Sequence, residues 1–431
     1  MTEAGAENRP APTLAEATRV WARIGVLSFG GPAAQIALMH REVVDQRGWL
    51  TEQQFLNALS FCMFLPGPEA MQLATYSGWR LHGTLGGLIA GLLFVLPGAA
   101  VILALATIYA YFGNVPLVSA LFLGVKATVV LIVVEALLRV ARKALSGFAH
   151  WIIAALAFIG IFFLALPFPL IIAAAAAYGF VMSGSAPSEQ SVKIAPSGSL
   201  LNTAITIGLW LAIWFIPLAL IATISQEPVL ADVGVFFSKL AVVTFGGAYA
   251  VLAYMGQDVV NHFGWLSAGE MMDGLGLAET TPGPLILVTQ FVGFLAAFRE
   301  GGFGLGVLGA LVTLWATFAP CFLWIFAGAP FIDWIGAQPR LKGALSAISA
   351  AVVGVILNLT IWFALHVFFA RVTAEKSGPL VVWTPDLATI DWRAMLLSAV
   401  CAVLLFRFHW DLMRVLLLAS AGGAALVFAL G

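Results

Sequence analysis

Apolar runs long enough to cross a lipid bilayer recur along almost the whole of this 431-residue chain. A helix needs about 20 predominantly apolar residues for one crossing. A lone strand or loop facing lipid would leave backbone groups unpaired at a cost of several kcal/mol each. The runs are therefore expected to be helices, strand content is expected to be negligible, and the fold class is an all-α polytopic membrane protein. Composition agrees: 61% of the residues are apolar and 10% charged, where a soluble domain carries roughly 25% charged residues. No stretch is left for a separate soluble domain. The 20 basic and 21 acidic residues are spread thinly, which gives nucleic acid or a charged partner nothing to bind.

Hydrophobic elements fall near 19–40, 54–79, 84–113, 115–138, 148–166 and 167–183. A polar linker at 184–199, rich in Ser and Pro, leads to one more at 200–224, and a second series follows near 233–256, 270–298, 303–329, 342–370, 392–407 and 411–430. The expected organisation is a tail at 1–13, a first repeat at 14–183, a linker with one extra helix at 184–232, and a second repeat at 233–431. Met1 to Thr13 contain Glu3 and Glu7 and no apolar core, unlike a cleaved signal peptide. Cys62, Cys321 and Cys401 are scattered through apolar segments, so they read as packing residues rather than a disulfide or metal framework.

The two series are related by a constant shift of 216 residues. Phe29-Gly30-Gly31 matches Phe245-Gly246-Gly247, Gly48-Trp49-Leu50 matches Gly264-Trp265-Leu266, and Pro66-Gly67-Pro68 matches Pro282-Gly283-Pro284. Past Arg299–Leu305 the shift becomes 223, which pairs Pro97 with Pro320. If every element crosses, the extra one at 200–224 makes the number of crossings between equivalent points odd, and the second repeat enters the membrane inverted. Basic residues then favour one face about two to one, as the positive-inside rule requires of the cytoplasmic side. A model in which 19–40, 54–79 and their counterparts are re-entrant hairpins has the same parity.

Two kinds of break interrupt these elements. Ser28-Phe29-Gly30-Gly31-Pro32 and Thr244-Phe245-Gly246-Gly247 place paired glycines in apolar segments. Such a break can turn backbone N–H groups towards a ligand, or simply let two helices approach closely. Leu65-Pro66-Gly67-Pro68-Glu69 and Thr281-Pro282-Gly283-Pro284-Leu285 cannot lie within one helix. Each should end one helix and start the next, with Pro68 or Pro284 at its first position. A helix N-terminus at membrane depth is an anion site needing no Lys or Arg, and symmetric broken helices mark the substrate site of secondary transporters with inverted repeats.

Ionisable residues inside apolar stretches are few: Glu69, Lys126, Glu135, Lys239, Asp258, Asp273 and Glu279. Each costs about 2.5–3.5 kcal/mol or more at the bilayer centre, so a partner or a role is expected. Lys126 could complement a dianion, snorkel, or pair with an acid. Gln35, Gln72 and Gln290 could donate to an oxyanion or bond across helices. Glu69, in the first turn after Pro-Gly-Pro, either serves its helix dipole or acts as a coupling or gating group. A carboxylate beside a dianion repels it, so it is not expected to be an anion ligand. No GxxxxGK[ST], HExxH or GxSxG occurs. Gly304-Leu305-Gly306-Val307-Leu308-Gly309 fits GxGxxG, but it lies in a membrane segment and reads as helix packing.

Ser28-Phe29-Gly30-Gly31-Pro32, Trp49-Leu50-Thr51-Glu52 and Leu65-Pro66-Gly67-Pro68-Glu69 with Gln72 closely resemble chromate ion transporters, and the second half resembles the same domain. The resemblance covers nearly the full length. It implies a multi-pass protein of the cytoplasmic membrane that moves chromate outward, with sulfate as a structural mimic. The second half departs from the pattern: Ala248 stands for Pro32, Leu285 for Glu69 and Val288 for Gln72. The resulting expectation is a secondary transporter exporting a tetrahedral oxyanion, chromate the best single candidate, driven by an ion gradient or the membrane potential, with a proton as the candidate coupling ion. The substrate site would draw on Gly30, Gly31, Gly67, Glu69, Gln72, Lys126, Gly246, Gly247 and Gly283, with no metal and no cofactor. Another oxyanion such as sulfate, an anion channel using the same breaks and, more remotely, a membrane-embedded enzyme are the alternatives.

Overall fold

The structure, a computed structural model, describes residues 12–183, 199–245, 248–336 and 338–430. Most of the expected tail, most of the polar linker, and Gly246 and Gly247 lie outside them. The described chain is helical almost throughout. Six of its helices are long and apolar enough to cross a membrane, and the protein is an all-α, multi-pass membrane protein.

The first series comprises α1 (Leu14–Leu27), α2 (Gly31–His40), α3 (Glu52–Phe64), α4 (Glu69–Phe112), α5 (Pro116–Ala144), α6 (Phe148–Phe162) and α7 (Phe168–Met182). The extra helix is α8 (Leu200–Ile224). The second series comprises α9 (Pro228–Val243), α10 (Ala248–Gln257), α11 (Ala268–Glu279), α12 (Val288–Gly328), the short α13 (Ile332–Gly336), α14 (Pro339–Phe368), α15 (Trp392–Ala402) and α16 (Leu412–Leu430).

The shift of 216 read from the sequence reappears in the local structure. A π-helical turn forms in each series, at Arg41–Asp45 and at Asp258–His262, and just after each one a tryptophan N–H, of Trp49 or Trp265, donates back to the carbonyl of Val43 or Val259. Thr51 and Gln54 form a capping box at the start of α3. Ser267 and Glu270 do the same for α11: the Glu270 N–H donates to Ser267 Oγ, and Glu270 Oε2 accepts the Ser267 N–H. Such reciprocal capping satisfies two donors that a helix start otherwise leaves open. Ser28 and Thr244 each turn a hydroxyl back on the carbonyl four residues earlier, Ile24 and Leu240, where α1 and α9 end.

Both long helices fold back on themselves. His82 and Gly83 leave helical geometry inside α4, as Gly301 and Gly302 do inside α12. In α4 the two arms meet where Gly78 faces Gly86, and a Cβ on either glycine would collide with the other's backbone carbonyl. In α12 the same crossing is made by Gly293 against Gly309 and Thr313, while Gly306 packs on Phe294 and Phe298. The GxGxxG run is therefore a helix-packing surface, as expected.

Strand content among the described residues is negligible, as expected, and confined to one short hairpin. Val372–Ser377 and Leu380–Pro385 pair as an antiparallel hairpin, β1 and β2. The hairpin is made possible by position: Arg371, Glu375, Lys376 and Asp386 crowd the only extended polar stretch between α14 and α15, and Arg371 pairs with Asp386 at 3.0 Å.

The chain forms two compact units, each drawing segments from both series: residues 1–104, 187–248 and 278–339 in one, and 105–186, 249–277 and 340–431 in the other. In the first unit α12 packs on α8 and α9, and Gly25 of α1 is seated against the Leu93 carbonyl of α4. In the second, α5 packs on α15 and α16, with Gly124 seated against the Ala419 carbonyl. Ridges of larger side chains cannot approach this closely, so these glycines set the helix separations.

Candidate functional site

The described breaks of both kinds lie in the first unit, and they are tied in two crossed pairs. The Gly67 N–H donates to Thr244 C=O at 2.8 Å, and the Gly283 N–H donates to Ser28 C=O at 2.9 Å. Each Pro-Gly-Pro of one series is thus held by the Phe-Gly-Gly break of the other. The side chain of Gln35 strengthens one crossing: its Nε2 donates to Gly283 C=O at 2.7 Å and to Ser28 C=O at 3.2 Å.

The conformation explains the glycines. Gly67 and Gly283 have φ of +121° and +88°, in a region that side chains with a Cβ rarely enter. Gly30 and Gly31 have φ of +84° and +77°. A Cβ on Gly31 would meet nothing within 4 Å. Close helix approach is therefore not what that position needs; a left-handed backbone is. The same turn delivers Gly30 as the N-cap of α2, with Pro32 in its first turn.

The prolines sit one position earlier than expected. The Gln72 N–H donates to Pro68 C=O, so Pro68 caps α4 and Glu69 is its first residue. Pro284 caps a 3-10 turn, Leu285–Leu287, that leads into α12. A ring without N–H fits either place, because the cap and the first turn both lack an intrahelical acceptor.

Gly67 and Gly283, both expected at the substrate site, have their own N–H groups committed to carbonyls across the crossing. The backbone N–H groups that precede the first bond of α4 belong to its opening turn, beginning at Glu69. Glu69 is half-buried there. Gln72 is fully buried one turn in, with Nε2 donating to Pro66 C=O at 2.7 Å and Oε1 buried without a partner. Gln290 likewise gives its Nε2 to Ala99 C=O at 3.0 Å and leaves Oε1 buried without a partner.

The helix segments after Pro97 and Pro320 complete the arrangement. Gly98 lies against the Pro282 carbonyl, and Cys321 lies against Gly67, where a Cβ would come within 2.9 Å of its Sγ. These two positions are equivalent under the shift of 223, a signal the sequence contained in the paired prolines. Ser28 and Thr244, whose carbonyls accept the crossing bonds, had no such signal, because a backbone acceptor leaves no trace in residue type. Cys62, Cys321 and Cys401 are all buried and free.

Lys126 is not with these residues in the first unit. It belongs to the second, where its ammonium lies 3.4 Å from Asp273 Oδ2. Of the roles open to it from the sequence, pairing with an acid is the one seen here. Tyr109, which the sequence did not single out, donates its hydroxyl to the same oxygen at 2.7 Å.

Comparison with known proteins places this geometry. The family model described as chromate transporter matches residues 15–180 and again 231–426. The chain is 32% identical to a chromate transport protein of Pseudomonas aeruginosa, over 84% of this chain and 82% of that one. It is 29% identical to a probable chromate transport protein of Synechococcus elongatus, over 82% and 85%, and 29% identical to a chromate transport protein of Cupriavidus metallidurans, over 82% and 84%. No solved structure matches it. With two matches that together span most of its length, the chain belongs to the chromate transporter family.

Proposed function

We propose that this protein is a secondary transporter that exports a tetrahedral oxyanion, chromate first among candidates, across the cytoplasmic membrane. The observation that carries the reading is the pair of crossed breaks, Gly67 with Thr244 and Gly283 with Ser28, in a protein whose family relatives are named for chromate transport. Broken helices held at membrane depth by each other leave helix starts that favour negative charge without a cationic side chain. The anion would be held by the opening turn of α4 and by the Gly30-Gly31 break, with Gln72 near the first of them. The inverted relation of the two repeats, 14–183 and 233–431, would then carry alternating access.

Glu69 fits a gating role. A carboxylate at the helix start stabilises α4 through its dipole, yet it opposes a dianion a few ångströms away. Entry of the anion would therefore require Glu69 to turn aside or take up a proton. Lys126 enters this scheme through its partner Asp273 rather than as a direct ligand.

Uptake of labelled chromate into inside-out membrane vesicles, with and without ionophores, tests the reading. Saturable uptake that collapses when the ion gradient is dissipated, and that excess sulfate reduces, is expected. Uptake equal to that of vesicles lacking the protein would contradict it, and flux that never saturates would indicate a channel.

A further inference from the structure

We propose that Asp273, in the cluster it forms with Tyr109 and Lys126, is a proton-binding residue of this protein. Protonation at Oδ1 would release the ammonium of Lys126. The site is built within the second unit by three elements: α4 carries Tyr109, α5 carries Lys126 and α11 carries Asp273. On α11 the residues Gly269, Asp273 and Gly276 are spaced by four and three, so they share one face. That face is packed on α5. Gly276 is seated against Val125, and a Cβ on Gly269 would lie 3.0 Å from Lys126 Nζ. The two glycines bring the helices close enough for the lysine to lie along α11 and reach the carboxylate.

The carboxylate is asymmetrically served. Oδ2 accepts from Tyr109 at 2.7 Å and faces Lys126 Nζ at 3.4 Å, while Oδ1 is buried without any hydrogen-bond partner. The Asp273 side chain is 4% exposed and that of Lys126 29%. A buried polar atom left unsatisfied costs about 1–3 kcal/mol, and more when the group is charged. A carboxylate kept only for structure is expected to have both oxygens satisfied. One with an open oxygen is instead poised to trade its charge for a proton at that oxygen.

The groups around Asp273 differ in charge: Tyr109 donates a hydrogen bond to the carboxylate and Lys126 sets a positive charge beside it, while Glu270 lies one turn earlier on α11. The step balances simply: a proton from water adds to Oδ1, the carboxylate becomes a carboxylic acid, and Lys126 keeps its own proton. The cluster passes from a neutral ion pair to a net positive charge carried by Lys126. In a protein that carries a dianion, such a switch would link proton uptake to anion movement, and this link alone rests on the transport reading above. The proton site itself does not.

Infrared difference spectroscopy of the full-length protein in lipid, recorded as a pH titration, reads the site without any transport. The wild type should show a protonated-carboxyl stretch that appears as pH falls and is absent from Asp273→Asn. Glu69→Gln should keep that band. Asp273→Glu should retain a titrating band shifted in frequency, which separates loss of the proton site from failure to fold. In Tyr109→Phe the midpoint should move to higher pH by about one unit, the worth of one hydrogen bond to a charged acceptor. A wild-type spectrum in which Asp273→Asn removes no titrating band overturns the proposal, as does an unmoved midpoint in Tyr109→Phe. If the band behaves as expected while labelled chromate does not enter vesicles, the proton site stands and the transport reading falls. If chromate enters with the same pH profile in Asp273→Asn as in the wild type, the link between the two falls.

Discussion

The two Pro-Gly-Pro breaks share a backbone and differ in what surrounds it. Around Gly67 the neighbours are polar or soft: Glu69 opens α4, Gln72 reaches back to Pro66, and Cys321 lies opposite. At the Gly283 break the matching side chains are apolar: Leu285 and Val288 replace Glu69 and Gln72, a 3-10 turn precedes α12, Gly98 is pressed on the Pro282 carbonyl, and Gln35 Nε2 is spent on the crossing itself. The left-handed glycine and the crossing hydrogen bond survive in both. Shared features of a repeat belong to its architecture, while those confined to one copy are free to specialise. Under the proposed function, the Gly67 break would be the one that faces substrate and the Gly283 break its scaffold.

The comparison breaks first where it is tightest. Gly98→Ala would drive a methyl into the Pro282 carbonyl, and overpacking of that kind costs about 3 kcal/mol. Thermal unfolding in detergent should show a large loss of stability and little protein in the membrane. Its equivalent, Cys321→Ala, removes one sulfur from a softer contact and should lower the same midpoint only slightly. Equal effects at the two positions would erase the distinction between the breaks.

Gly67→Ala comes next. A φ of +121° and contacts of 2.8 Å and 2.9 Å to Gln72 Nε2 and Cys321 Sγ oppose a Cβ there, at about 1–3 kcal/mol. Membrane-inserted protein should persist while chromate uptake falls at least tenfold. Gln72→Leu, which copies the apolar character of Val288 into the first break, should weaken uptake without loss of protein. The reverse change, Val288→Gln, should leave uptake near that of the wild type.

Glu69→Gln sharpens the contrast from the other side. Removing a charge that repels the dianion should lower the KM for chromate about fivefold, equivalent to roughly 1 kcal/mol. An unchanged KM would leave Glu69 as a helix-stabilising residue only. Among the glycine substitutions the smallest loss of thermal stability is expected at Gly31→Ala, where the cost is backbone strain alone, about 1 kcal/mol, because a Cβ there meets open space.

Much of this was legible in the sequence because breaks require particular residues. Proline and glycine are costly inside helices, so Pro66-Gly67-Pro68 and its counterpart announced two helix ends each, and the shift of 216 announced their equivalence. The capping boxes at Thr51 and Ser267 lie at that same shift, though only the structure shows them closed. What bonds to what was hidden. Thr244 and Ser28 act through carbonyls that every residue carries, and the commitment of the Gly67 and Gly283 amides could not be read from glycine. Lys126 showed its cost in lipid but not its partner, since Asp273 is 147 positions away in the sequence. The hairpin at 372–385 left no mark in the apolar pattern that defined every other element, because Val372–Ser377 is mostly polar and the apolar run in Leu380–Pro385 is far too short to cross a membrane.

The proposed function requires two repeats that enter the membrane in opposite senses and are clasped through their breaks. Asp45 and Asn261 are equivalent under the shift of 216, exposed, and located in the matching π-helical turns. Single cysteines at these positions, in a background lacking Cys62, Cys321 and Cys401, can be labelled with an impermeant maleimide in intact cells and in inside-out vesicles. The account predicts that one reacts only in cells and the other only in vesicles, and labelling of both from the same face would contradict it.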